Sequence, residues 1–156
     1  MEEKRYWLMK SEPSAYSIDD LERDKTEPWD GIRNYEARNF MKDSMKVGDQ
    51  AFFYHSNADP IAIVGIMEIA SEPYPDFTQF DPKSKYFDAK SSEANPRWML
   101  VDVKFVQKFD KPVTREEMKE EPALQDMMIF KRSRLSITPV TEAEWKKILE
   151  MAGVVF

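Results

Sequence analysis

Two apolar segments joined by a short polar link constrain the fold more than any other feature. In Gln50–His55 (QAFFYH) side chains alternate between faces, so Ala51, Phe53 and His55 share one side and Phe52, Tyr54 and then Ser56 the other. Aromatic residues on both faces demand cover on both. After Pro60 a second run, IAIVGIMEIA to Ala70, is apolar almost throughout, with Gly65 at its middle. A glycine there points to a bulge, a sharp bend or a close approach of another group to the backbone. Bent, two-sided strands favour a small twisted barrel with helices over its openings.

The flanking chain fits that frame. Residues 5–9 (RYWLM) read as a first strand, stopped by Pro13. Ser17 with Asp20 caps a helix over Ile18–Arg23. Asn34 caps another from Tyr35 to about Asp43, with Ala37, Phe40, Met41 and Met45 as its apolar stripe and Arg33 and Arg38 off it. Residues 72–96 are broken by prolines, yet Tyr74, Phe77, Phe80, Tyr86 and Phe87 imply a structured loop wrapping the domain. Trp98–Phe109 reads as a strand with one wet face. Thr114 with Glu117 and Thr141 with Glu144 are capping boxes, the second opening a C-terminal helix with Trp145, Ile148, Leu149 and Ala152 inward. Five or six strands and four or five helices in mixed order, without regular βαβ alternation, give an α+β domain spanning residues 1–156.

Composition excludes several chemistries. With no cysteine, the chain has no disulfide, thiol nucleophile or cysteine-held zinc. A single histidine, His55, rules out a histidine-rich metal site or a paired histidine relay, so no cofactor or metal is expected. No apolar run reaches the length of a membrane span, and the apolar patch near the N-terminus is too short for a signal peptide. A cytoplasmic protein is expected, or a nuclear one in a eukaryote. The net charge of −6 argues against holding nucleic acid mainly by counterion release, while leaving room for a local basic patch.

Three groups of residues stand out. Trp29 sits in a Pro-Trp-Asp-Gly turn, outside any amphipathic pattern, and offers either core packing or a stacking face for a flat ring. Tyr54-His55-Ser56-Asn57 gathers hydroxyl, imidazole and amide groups at a strand end, suited to reading a heterocycle edge. Lys131, Arg132 and Arg134, with Ser136, form a basic spot inside a stretch without acids, either a solvated turn or a phosphate contact. An enzyme would need a carboxylate beside this pocket, with Asp30 and Glu36 nearest in sequence.

The segments YWLMKSEP (6–13), PWDGIRNYEARNFMK (28–42), KVGDQAFFYHSN (46–57), IVGIMEI (63–69), YPDFTQFD (74–81), PRWMLVDVKF (96–105) and KRSRLSITPVTEAEW (131–145) resemble, in order, those of the EVE domain, a PUA-like family distantly related to YTH domains. The resemblance implies a PUA-like twisted pseudo-barrel of about five or six strands with short helices around it. It also implies a non-catalytic pocket for a methylated or hydroxymethylated base, flipped or single-stranded, in DNA or RNA. The matching positions place Ser11, Trp29, Asn34, Tyr35, Tyr54, His55, Ser56, Leu135 and Ser136 at such a ligand, and Arg33, Lys131, Arg132 and Arg134 at phosphate. A free nucleoside or other planar metabolite is the alternative ligand, and a nuclease or glycosylase a less favoured activity.

Overall fold

The structure, a computed structural model, describes residues 5–154; the ends of the expected 1–156 domain lie outside them. Eight strands form: β1 (Tyr6–Ser11), β2 (Thr26–Pro28), β3 (Gln50–His55), β4 (Ala62–Ile69), β5 (Tyr74–Pro75), β6 (Met99–Leu100), β7 (Asp102–Thr114) and β8 (Ile137–Val140). Six of them make one sheet in the order β2-β7-β4-β3-β1-β8, while β5 and β6 pair separately. The large sheet curls into a half-barrel, an α+β architecture with five helices packed around it. These are α1 (Ile18–Asp24), α2 (Tyr35–Asn39), α3 (Arg115–Glu120), α4 (Met128–Lys131) and α5 (Glu142–Ala152). No helix among the described residues is long and apolar enough to cross a membrane.

The two-faced character of β3 sets the core. Phe53 joins Trp7, Met9, Ile18, Leu21, Met41 and Met67 on one face of the sheet, covered by α1 and α2. Phe52 joins Leu8, Ile63, Phe109, Ile148 and Trp145 on the other, and Trp145 of α5 stacks on it with ring centroids 3.8 Å apart. Burying each phenylalanine is worth roughly 1.5–3 kcal/mol. Gly65 lies where the β4–β7 register shifts, and a Cβ there would fall 2.5 Å from the Gln107 carbonyl and 2.9 Å from Ile18 Cδ1. The bulge and the close approach therefore occur together.

Capping boxes form at Ser17, Thr114 and Thr141. Three elements differ from the sequence-based expectation. The helix from Tyr35 is α-helical only to Asn39, then widens into a π turn over Phe40–Ser44 closed by Met45 N–H donating to the Phe40 carbonyl (2.8 Å). That turn keeps both Met41 and Met45 buried while Phe40 packs on Trp7. The strand expected over Trp98–Phe109 breaks at Val101, because residues before it pair with β5 and residues after it with β2 and β4, and it continues to Thr114. Strand β2 has only three residues and no periodicity to betray it. Its Pro28 cannot donate to a ladder, which suits an edge position.

Candidate functional site

Strands β2 and β8 end the sheet at opposite edges, yet residues beside both line a single cleft of about 810 Å³. The cleft thus occupies the seam where the half-barrel curls back on itself. Its size lies within the usual range of ligand sites, ~300–1,000 Å³.

One side comes from β2 and the turn after it. Trp29 N–H donates to the Val101 carbonyl (2.9 Å), and the indole meets Phe53 edge-on at 5.6 Å. Trp29, for which the sequence offered either core packing or a stacking face, is 7% exposed and lines the cleft. Gly31, at φ +80°, donates its N–H to Asp76 Oδ2 (2.8 Å), and Arg33 Nη1 donates to the same oxygen (3.1 Å). Asp76 is fully buried, and its other oxygen accepts from Thr78 N–H (2.8 Å) and the Thr78 hydroxyl. This carboxylate hangs the Trp29–Arg33 turn on the long loop. Glu27 and Asp30 flank Trp29 in the lining. Burial, then the Asp76 charge, pushes the Asp30 carboxyl up; burial, then Asp30, does the same to Glu27.

The other side comes from β1, β3 and the chain entering β8. Parallel pairing of β1 with β3 brings their ends together, and Ser56 N–H donates to the Ser11 carbonyl (3.1 Å). The Ser11 hydroxyl donates to the Tyr16 carbonyl (2.6 Å). Lys10 N–H donates to the Ser136 carbonyl (2.9 Å) and its ammonium to the Ser133 carbonyl (2.9 Å), pinning the Ser133–Ser136 turn to β1. Burial, then Arg115, pulls the Lys10 ammonium down. Arg134 lines the cleft with no ion pair among the described residues. Lys85 and Tyr86 come from the long loop, Lys85 Nζ lying 5.1 Å from the Tyr86 ring centroid.

Of the residues singled out by sequence, Ser11, Trp29, Arg33, Ser56, Arg134 and Ser136 line this cleft. The others stand elsewhere. Tyr54 points into the opposite core. His55 Nε2 accepts from Ile18 N–H (3.1 Å), capping α1 from behind the cleft, and burial pulls its imidazole down so that the accepting nitrogen stays unprotonated. Asn34 caps α2 through Ala37 N–H (3.0 Å), and Leu135 is buried in the core. Tyr35 stacks on Trp98 at 4.8 Å outside the cleft, with Arg38 over its ring. Lys131 lies by Asp126, and Arg132 forks onto Glu36. The expected phosphate role of Arg33 meets a direct obstacle. Its Nε and Nη2 donate to the Tyr86 carbonyl, Nη2 also to Thr78, and Nη1 to Asp76 and the Ile32 carbonyl, which uses all five donors.

Sequence reasoning missed Lys10, Glu27, Asp76, Lys85 and Tyr86. Only Asp76 left a trace: Asp-x-Thr is an Asx-turn pattern with Thr78, though its other partners, Gly31 and Arg33, lie 45 and 43 residues away. No group of three or more histidines and carboxylates that could hold a metal occurs among the described residues.

Comparison with known proteins fits this geometry. The EVE domain model matches residues 5–151. Human thymocyte nuclear protein 1 is 41% identical over 165 residues, covering 94% of this chain and 73% of that protein. A hypothetical protein from Leishmania major superposes with a TM-score of 0.94 at 46% identity, covering 97% of this chain and 96% of the other. Human THYN1 protein, solved in complex with 5-methylcytosine containing DNA, superposes with a TM-score of 0.91 at 40% identity, covering 98% and 100%. The ZmASCH protein of Zymomonas mobilis shares only the fold, at 10% identity and a TM-score of 0.56 over 95% of this chain and 99% of the other. With its fold, its motifs and nearly its whole length matched, the chain belongs to the EVE domain family.

Proposed function

We propose that the seam cleft receives one modified nucleobase, unpaired or flipped from a DNA or RNA strand, and binds it without chemical conversion. The observation that carries this reading is Trp29, held nearly edge-buried in the lining of a cleft with hydroxyls and unpaired charges around it. Ser11, Ser56 and Ser136 supply short polar contacts, and Arg134 and Lys85 are placed for the flanking phosphates. The human relative solved with 5-methylcytosine DNA supports a methylated pyrimidine as ligand. Of the groups an enzyme would use, the one histidine is turned to α1 and Glu36 is held by Arg132, while Asp30 lines the cleft, where the binding reading gives it a role in recognition. Function on nucleic acid places the protein in the cytoplasm of a cell without a nucleus, or in the nucleus.

The test is a titration of methylated, hydroxymethylated and unmodified strands, read by tryptophan fluorescence at two salt concentrations. One or two phosphate contacts give a shallow slope, about −1 against log salt on single strands at ~0.7 per contact. Trp29→Leu keeps apolar bulk but removes the flat ring. It is expected to weaken modified-base binding by roughly 5- to 150-fold, since stacking is worth ~1–3 kcal/mol. Unaltered affinity in the folded variant would remove Trp29 from the site. The net charge of −6 favours a free nucleoside as second reading; equal affinity for nucleoside and strand, without salt dependence, would establish it.

A further inference from the structure

A methyl group alone cannot identify a methylated pyrimidine in DNA. Thymine carries the same 5-methyl as 5-methylcytosine and is abundant. The two bases differ at position 4, where cytosine presents an amino donor and thymine a carbonyl acceptor, and in the proton on N3. A methyl-sized recess distinguishes methylated from unmethylated cytosine by about fourfold and does nothing against thymine. A site that reads methylcytosine must therefore contain an acceptor for the amino group.

The cleft is lined by three carboxylates that no other side chain engages among the described residues, Glu12, Glu27 and Asp30. Glu27 and Asp30 flank Trp29 in the lining. Neither makes an ion pair or a hydrogen bond to another side chain among the described residues. Several other carboxylates are committed: Asp24 to Arg23 and Tyr16, Asp76 to Arg33, Asp88 to Trp98, Asp102 to Tyr74 and Glu36 to Arg132. The backbone carrying Asp30 is fixed on both sides, by Asp30 N–H to the Pro28 carbonyl (3.0 Å) and by Gly31 N–H to Asp76. Carboxylates repel phosphate, so in a cleft that admits a nucleotide they oppose binding unless something on the ligand answers them. The exocyclic amino group of a base is one donor that a nucleobase edge offers for this purpose, and Asp and Glu accept from it.

Resting on the base-reading proposal, we infer that Asp30, assisted by Glu27, is the specificity determinant of the cleft, restricting it to bases with an exocyclic amino group and rejecting thymine and uracil. Against thymine, a carboxylate would face the O4 acceptor with no donor between them.

The experiment uses strands identical except for one unpaired base: 5-methylcytosine, thymine, or 5-methylpyrimidin-2-one, which keeps the methyl and lacks any 4-substituent. The protein is expected to bind methylcytosine about thirtyfold better than thymine, the middle of the roughly 5- to 150-fold by which one good base-edge contact discriminates. The pyrimidinone should fall between them. Asp30→Asn, and the double variant with Glu27→Gln, should bring the methylcytosine-to-thymine ratio to within about fivefold, because an amide can turn its donor to O4. The ratio is the readout. Removal of negative charge by itself strengthens all strands alike and leaves the ratio unmoved. Both side chains are solvent-accessible and the replacements isosteric, so unaltered melting temperatures are expected. A ratio preserved in the folded double variant, with Trp29→Leu still weakening binding, overturns the assignment and leaves the base-reading cleft standing. Weak binding of every strand, indifferent to Trp29→Leu, overturns that cleft itself.

Discussion

Replacing Asp76 by asparagine tests the architecture of the cleft directly. Asp76 is fully buried and accepts from Gly31 N–H, Arg33 Nη1, Thr78 N–H and the Thr78 hydroxyl. Asparagine keeps the shape but turns one oxygen into a donor. If its oxygen faces Gly31 and Arg33, its amide opposes Thr78 N–H; the Thr78 hydroxyl can turn to accept, but the backbone amide cannot. If it faces the other way, the amide meets both Gly31 N–H and the Arg33 guanidinium. Either orientation strands at least one buried donor, at ~1–3 kcal/mol. Loss of the negative charge also leaves Arg33 without its counter-ion; breaking a buried pair costs about 3–5 kcal/mol, and less here because the Arg33 side chain is 22% exposed. A total near 3 kcal/mol follows, lowering the melting temperature by roughly 6–12 °C at about 2–4 °C per kcal/mol. Thermal melts by circular dichroism measure this, with Glu93→Gln, at an exposed residue, as a surface comparison. Because Gly31 and Arg33 hang from Asp76, methylated-strand affinity at a temperature where the variant is folded should also drop, by about tenfold for 1.4 kcal/mol of lost preorganisation. A melting shift under 2 °C (a threshold of about one kcal/mol or less) would refute the role of the carboxylate. A large shift with full affinity would refute the link between this turn and binding.

Gly31→Ala combines a strained φ of +80° with a Cβ 2.6 Å from Tyr86 Cζ; it should cost ~1–3 kcal/mol and displace Tyr86, seen as a lower melting temperature together with weaker strand binding. His55 has a depressed folded value, so the stability tied to its neutral ring is complete above about pH 6.5 and is lost as pH falls through that depressed value. His55→Gln should abolish this segment of the stability-against-pH curve while Glu27 and Asp30, raised and therefore of opposite sign, contribute alike to both proteins; a curve unchanged by the substitution would contradict the His55–Ile18 bond. Thr138 is fully buried and its hydroxyl meets no protein partner among the described residues. Thr138→Val should therefore leave stability level or raise it by about 1 kcal/mol in chemical denaturation, and a loss of that size would reveal a hidden partner.

The fold was legible because it rests on local chemistry. Phe52 and Phe53 had to face opposite ways, Gly65 had to mark a bulge or a close approach, and three capping boxes marked helix starts. The π turn and the break at Val101 were not legible, since each answers to tertiary partners: Trp7 for Phe40, and the small β5–β6 sheet for Met99 and Leu100. The site was half legible for the same reason. Trp29 declared itself by its turn, Ser56 by its strand end and Ser136 by the basic spot, while Ser11 came from the family resemblance. Tyr54 and His55 adjoin Ser56 in sequence, but strand alternation sends Tyr54 into the far core, and the accepting nitrogen of His55 is taken by α1. Arg33 looked like a free cation because its acceptors come from the long loop at Asp76, Thr78 and Tyr86. Such a contact leaves no periodic trace in either segment.

The acidic character of the chain and a nucleic-acid role are reconciled by where affinity comes from. The three cations of the basic spot do not act together: Lys131 and Arg132 lie by Asp126 and Glu36, and Arg134 alone reaches the cleft. Lys85 adds one charge from the opposite loop, and Lys10 is committed to the Ser133 carbonyl. Two available cations cannot hold a duplex through its phosphates, and Glu27 and Asp30 beside Trp29 oppose any ligand that brings only phosphate. The same arrangement suits a ligand that enters as a base. Stacking on Trp29 and contact with the carboxylates are available only once the base has left its pair, at a cost of a few kcal/mol that falls for a strand already open. On the proposed reading, discrimination would reside in the inserted base, and one or two phosphate contacts would add little affinity for unmodified strands.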